Sequence, residues 1–354
     1  MKKIREYKFL AIAMLVLAVV IALPPLLHKE TCLIINNDTA VHLATFEALK
    51  SGEASFLYLG QAITGYALVG IEKVIGISIQ TSFMWFNFLA LFLSGLAVAT
   101  IVMMVTKSKL ASTLSAFIIT FGVGSTMHLF LSGTIFNIIE MLILLPVLII
   151  LVYKMFQGKN IKWLYAIIPL AIFMFFFHPS LGQGISFLAN EVPAPVPTPV
   201  PNPGEVTNSS ILPIPITPTP YFEAIISPIA LLAIFFGISN LAVLVLCWIA
   251  FHARTNREKV GMGIKTTLGT LLALSILLTI LTFTGATPFS SRMAINLCLV
   301  LGLLLCLFVG IALKYNQSRL AKTSVISLVI VGMMPNLVNW FTWTSFYNPE
   351  RGAY

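Results

Sequence analysis

The chain has 354 residues, of which 58% are hydrophobic and only 9% charged. A soluble domain carries roughly 25% charged residues, so this composition excludes a soluble globular fold; its long apolar runs suit membrane-spanning helices, not the short alternating segments of a β-barrel. The net charge of +9 would suit a nucleic-acid binder, but 16 of the 21 basic residues fall in five short clusters between apolar runs, which the positive-inside rule explains with no nucleic acid involved.

In chain order, Lys2, Lys3, Arg5 and Lys8 precede an apolar run at about 9–27. No small-residue cleavage site follows it, so it reads as an uncleaved first span. A first external loop, 28–80, then opens with "IINNDTAVHLATFEALKSGE". It holds Asp38, the single aspartate of the chain, with His42 one helical turn on and Glu47 after it. The stretch 58–78 reads as a helix lying on the outer surface. Counted as a span, it would place the 12 basic residues from Lys107 to Lys322 outside, against the charge rule. Further spans are expected at about 81–105, 110–130, 136–153, 163–180, 223–251, 266–286, 293–313 and 323–342, giving nine. The expectation is thus an all-α, polytopic membrane protein forming a single transmembrane domain over 1–354. A second external loop, 181–222, contains ten prolines within 192–220 and is expected to be extended or disordered.

On this topology the basic clusters are cytoplasmic. Ten of the twelve acids, all but Glu6 and Glu258, are external or near outer ends of spans. The candidate functional residues are therefore outer ones, and each has two readings. Asp38 either caps a helix or acts as a base. His42, at i+4, either bonds Asp38 locally or meets a substrate. Glu47 is solvated or binds substrate. Glu140, inside a span, is costly there and faces a cavity or a polar partner. His178, in "FFFHPSLG", ends a span or lines the site. Arg292, in "SSRMAINL", marks the interface or binds an anion. The four cysteines, Cys32, Cys247, Cys298 and Cys306, show no metal spacing, and neither a disulfide framework nor a zinc site is expected. Soluble-enzyme motifs such as GxSxG, the P-loop and HExxH are not seen.

Taken together, "NNDTAVHLATFEALKSG", the surface helix after it, "FFHPSLG" and the external arginine of "SSRMAINL" resemble the GT-C superfamily of polytopic membrane glycosyltransferases. The resemblance covers roughly 1–350 as architecture, and many members carry paired acids where this chain has one aspartate. It implies a sugar donor on a polyprenyl phosphate and an extracytoplasmic acceptor that is a glycan, lipid or protein. It implies Asp38 as general base and Arg292 on the phosphate, with His42, Glu47, Glu140 and His178 at the substrate. No cofactor is implied, although Asp38 and Glu140 together offer oxygen ligands for a divalent cation. The expected location is the plasma membrane of a prokaryote, with the N-terminus cytoplasmic and the C-terminus and site outside. The competing expectations are a non-catalytic membrane subunit with a proline-rich external arm, and a lipid or solute transporter.

Overall fold

The fold was read from a computed structural model, which describes residues 2–27, 37–52, 58–124, 126, 130, 135–177, 236, 240, 262–283, 290–315 and 318–342. Every regular element among them is helical. The elements are α1 (Lys2–Leu27), α2 (Asn37–Ser51), α3 (Leu59–Ile75), α4 (Ile79–Thr106), α5 (Lys109–Phe117) and α6 (Ile135–Ile139), followed by α7 (Leu145–Gly158), α8 (Leu164–Phe177), α9 (Met262–Phe283), α10 (Ser290–Tyr315) and α11 (Arg319–Thr342). α5 continues into a π-helical segment, Ile118–Gly122, and a second π segment, Glu140–Leu144, joins α6 to α7.

Four stretches are long and apolar enough to cross a bilayer: Ile79–Thr106, Ile135–Gly158, Ala294–Lys314 and Arg319–Val338. Four more apolar helices, Leu10–Pro24, Lys109–Gly122, Ile161–Phe177 and Thr267–Ile280, are shorter over their described residues. The four long stretches coincide with four of the nine predicted spans, and the four shorter helices overlap four more. The ninth, 223–251, lies outside the described residues except for Phe236 and Asn240, as does the proline-rich segment.

Local chemistry sets the helix ends. Ser78 and Ser108 accept from the backbone N–H of Thr81 and Ala111, capping α4 and α5. Gly76 closes α3 at φ 79°, a left-handed conformation that glycine adopts without steric cost. Lys107 and Lys159 take the same conformation at the ends of α4 and α7, where a cation also meets the negative end of the helix dipole.

α10 is the central helix. Of its most apolar stretch, 89% is buried, against 17% for α11. Cys298, Gly302, Cys306 and Gly310 recur every fourth residue along it, and small residues let helices approach closely where lipid supplies no hydrophobic drive. A Cβ on Gly310 would stand 2.9 Å from methyls of both Thr106 and Val102, and one on Gly302 would stand 2.9 Å from Val123. Between α5 and α10, the Ser115 hydroxyl, which donates to Ala111 at 2.7 Å, shares its proton with the Cys306 carbonyl at 3.3 Å. Gly310→Leu should therefore cost about 1–3 kcal/mol through overpacking. Gly269→Ala, whose added Cβ meets nothing within 4 Å, should be neutral or mildly stabilising by helix propensity. Thermal unfolding in detergent checks both.

The π segment of α5 disturbs the usual backbone ladder, and two asparagines from other helices bond its carbonyls. Asn336 donates to the Phe121 oxygen at 2.7 Å and Asn240 to that of Gly122 at 2.6 Å. Trp340 of α11 donates to the Val20 carbonyl of α1 at 2.8 Å. Inside a bilayer such groups have no water to turn to, so these bonds both satisfy the backbone and tie the helices together.

Chain directions separate the charges. Phe83, near the start of α4, and Phe136, near the start of α6, both pack on His42, so α4 and the α6–α7 helix run parallel. α10 runs with them, since its Asn296 meets Asn137 and its Gly310 meets Thr106. α1 runs the other way, with Leu17 beside Gly95 and Val20 beside Trp340, which touches Phe88. One end of the bundle thus receives Lys8, Lys107, Lys109, Lys154, Lys159, Lys162, Lys314, Arg319 and Lys322. The opposite end receives α2 and α3.

Candidate functional site

At that opposite end, α3 is the platform. Gly60, Gln61, Thr64, Gly65, Leu68 and Val69 form its buried face, the i, i+4, i+8 pattern of a helix packed along one side. That side meets α2, α4 and α8. Gly65 makes room for Phe46 and Leu49 of α2, and a Cβ there would lie 2.8 Å from the Leu49 side chain. Gly60 is tighter: a Cβ would come 2.6 Å from the Phe177 carbonyl oxygen and 3.2 Å from the Phe136 ring. The loop helix is thereby seated against the start of α6 and the last residue of α8.

His42 sits in the angle between these elements. It is buried, and Gln61 Nε2 lies 2.9 Å from its Nδ1. With the Gln61 amide donating, the ring's proton is on Nε2. Phe46, Phe83 and Phe136 surround the imidazole at centroid distances of 6.3, 6.1 and 5.0 Å. Tyr58 packs edge-on with Phe136 at 5.4 Å, and Phe177 at 6.1 Å. Gln61→Leu leaves a buried imidazole acceptor without its donor and should cost about 1–3 kcal/mol. A double-mutant cycle with His42→Phe, read by thermal unfolding, should show that most of this cost vanishes once the imidazole is gone.

A second polar group lies one residue along α6. Asn137 Nδ2 is 3.4 Å from Asn296 Oδ1 of α10, and both residues are buried. Asn296 Nδ2 itself has no hydrogen-bond partner among the described residues, a situation that costs about 1–3 kcal/mol for a buried donor. Glu140 follows Asn137 by three residues, on the same helix face. It is 0% exposed and opens the second π segment. π segments concentrate at functional sites, and a carboxyl inside an apolar helix is retained against its burial cost.

The remaining sequence candidates divide three ways. Asp38 stands in the first turn of α2, which begins at Asn37, one turn before His42; the helix dipole favours a carboxylate there. Arg292 stands in the first turn of α10, one turn before Asn296. Their helices place both at this end, and their side chains lie outside the described residues. His178 also lies outside, immediately after Phe177. Glu47 does not join the group. It is half exposed and 3.9 Å from Lys50, which pairs more closely with Glu72 of α3 at 2.8 Å. The bond to Glu72 holds the Lys50 ammonium above its ordinary pKa. A raised cation pKa contributes stability that is present at neutral pH and lost as pH rises through the folded value, and at so exposed a site that contribution is small. Glu47→Gln should change unfolding by less than about 0.5 kcal/mol.

Sequence reasoning missed Gln61 and Asn296. Asn296 had a signal: it is a polar residue inside an apolar run, at i+4 from Arg292. Gln61 had none, because its partner is 19 residues away. Among the described residues no three His, Cys, Asp or Glu side chains gather as a metal site would require. Comparison of the chain with family models, with curated proteins and with solved structures finds no match.

Proposed function

We propose that this chain is a membrane glycosyltransferase of the GT-C kind, moving a sugar from a polyprenyl phosphate to an extracytoplasmic glycan, lipid or protein. One observation carries the reading. A bundle whose buried polar groups elsewhere are mostly hydroxyls bonded to helix carbonyls collects His42, Gln61, Asn137, Glu140 and Asn296 at one end, and the backbone brings the first turns of α2 and α10, with Asp38 and Arg292, to that same end.

In this reading the acceptor's hydroxyl oxygen attacks the anomeric carbon, and its proton passes to the Asp38 carboxylate. The bond from that carbon to the phosphate oxygen breaks on the opposite face. The leaving polyprenyl phosphate keeps the bonding pair, and Arg292 binds its growing charge through a two-pronged guanidinium. His42 and His178 orient acceptor or phosphate, and Glu140 lines the sugar's place. The basic end faces the cytoplasm by the charge rule, the N-terminus with it, in the plasma membrane of a prokaryote. Nine helices span that membrane. α3, at 17 residues, is about 25 Å long and so shorter than the roughly 30 Å hydrocarbon core; it lies on the outer face.

The test is turnover in proteoliposomes. Protein supplied with a polyprenyl-phosphate hexose should release free polyprenyl phosphate faster than empty vesicles do, and more so with an acceptor present. An unchanged donor lipid across a panel of sugars would sink the proposal. A lipid or solute carrier is a second reading, favoured by Glu140, whose carboxyl is wholly buried in a span at a π segment. In that case the same vesicles would move lipid or solute between compartments with the donor intact.

A further inference from the structure

The treatment of buried polar groups differs along the bundle. At mid-depth and toward the basic end, each of several buried hydroxyls is returned to a helix carbonyl. Ser94 donates to Leu91, Thr106 to Val102, Ser112 to Ala99, Ser115 to Ala111 and Thr120 to Ala116, all at 2.6–2.8 Å. This is what a membrane protein requires where water is excluded. At the end that carries His42, four buried groups are not returned in this way. Ser82 Oγ, Asn87 Oδ1, Thr126 Oγ1 and Asn296 Nδ2 have no hydrogen-bond partner among the described residues. Thr113 Oγ1 is the one comparable atom toward the basic end.

Asn296 is the most demanding of the four. It is 0% exposed, it lies on the most buried helix, and its carbonyl oxygen already faces Asn137. A primary amide whose acceptor is engaged and whose N–H groups are free asks for an oxygen ligand. Arg292 is four residues earlier, so the two positions lie on one face of α10, about 6 Å apart along its axis. Glu140, an acceptor for hydroxyl protons when ionised, is on the same face as Asn137. Amide donor and carboxyl acceptor are the kind of placed polar groups in an apolar wall that small-molecule sites share, and Phe136, the residue before Asn137 in α6, packs on Tyr58. The ligand chemistry they fit is a ring of hydroxyls with an apolar C–H face.

We infer that Asn296 is a sugar-binding residue, its amide N–H donating to a hydroxyl of the sugar whose phosphate Arg292 holds one helical turn away. This rests on the glycosyltransferase reading and deepens it. The contact concerns the sugar alone, so Asn296 distinguishes the charged donor from the spent lipid. It gives the site a means of releasing bare polyprenyl phosphate after transfer.

Binding of two probes by the full chain in detergent tests this: a polyprenyl-phosphate hexose and bare polyprenyl phosphate, each followed by native mass spectrometry over a titration. Asn296→Ala and the milder Asn296→Ser are both measured, with thermal unfolding confirming that at least one folds as wild type does. The expected result is a loss of about tenfold or more in affinity for the charged lipid, the effect of one buried hydrogen bond, with bare-lipid affinity unchanged. Arg292→Ala should weaken both probes. Folded Asn296 variants that bind both lipids as wild type does would overturn the inference, leave the glycosyltransferase reading standing and assign the free amide to a water. Equal loss of both lipids would overturn it as well, making Asn296 a structural residue. A wild-type protein that binds neither lipid would remove this inference and the reading beneath it together.

Discussion

Asp38→Asn should lower the rate of sugar transfer by about 10²–10⁴-fold, the usual worth of a positioned general base, while donor binding stays near the wild-type value. The asparagine keeps the shape and hydrogen-bonding reach of the side chain and removes only its ability to take a proton. Its place supports this role. Asp38 is in the first turn of α2, at the end of the bundle where α3 and the first turn of α10 also lie. The same helix is anchored one turn later by His42, held by Gln61 and three aromatic rings, so the turn that carries Asp38 is fixed from below. The check is initial-rate transfer in proteoliposomes with donor affinity measured in parallel. A rate within threefold of wild type would remove Asp38 from the reaction. A loss confined to donor affinity would reassign it to binding.

Trp340→Ala should destabilise the fold by about 3–5 kcal/mol, more than Gly310→Leu or Gln61→Leu. Trp340 is 0% exposed although α11 is the least buried of the four long apolar helices. Its ring packs on Phe88, Phe121 and Phe130 at 5.9, 5.7 and 5.5 Å, and its indole N–H reaches the Val20 carbonyl. One side chain thus joins α11 to α1, α4 and the π segment of α5. Between helices in lipid, association relies on such packing and on interhelical hydrogen bonds, so the truncation leaves α11 held chiefly by its Asn336 bond to Phe121 and by Met333 beside Gly122. Trp340→Phe keeps the ring contacts and loses the N–H bond, and should cost about 1 kcal/mol. Thermal unfolding of the two variants checks the ranking, which reverses if the hydrogen bond outweighs the packing.

The helical architecture was legible in the sequence because each long apolar run is itself the signal for a bilayer-length helix. The interruptions were less so. The run at 110–130 gave no sign that its helix would widen into a π segment at Ile118, because the compensating donors, Asn336 and Asn240, lie more than 100 residues away. The stretch 58–78 was legible as a helix apart from the long runs, but what its glycines do was not. Gly60 and Gly65 are needed for contact with Phe177 and Phe46.

The candidate site was legible in part. Asp38, His42, Glu140 and Arg292 stand out because ionisable residues are rare in so apolar a chain. Which of them share an end followed from counting spans. Which of them touch did not. The Asn137–Asn296 and His42–Gln61 pairs join residues 159 and 19 positions apart, and no local pattern encodes such pairings. Glu47 illustrates the opposite case: it is near His42 in sequence, and it faces Lys50 on the exposed side of α2.

The most direct measurement of the glycosyltransferase proposal is native mass spectrometry of the purified protein, wild type beside Arg292→Ala, read for a co-purifying lipid. A polyprenyl-phosphate sugar is expected on the wild type, its mass giving both the sugar and the chain length, together with its loss from the variant. Ordinary phospholipids alone on both proteins would contradict the proposal.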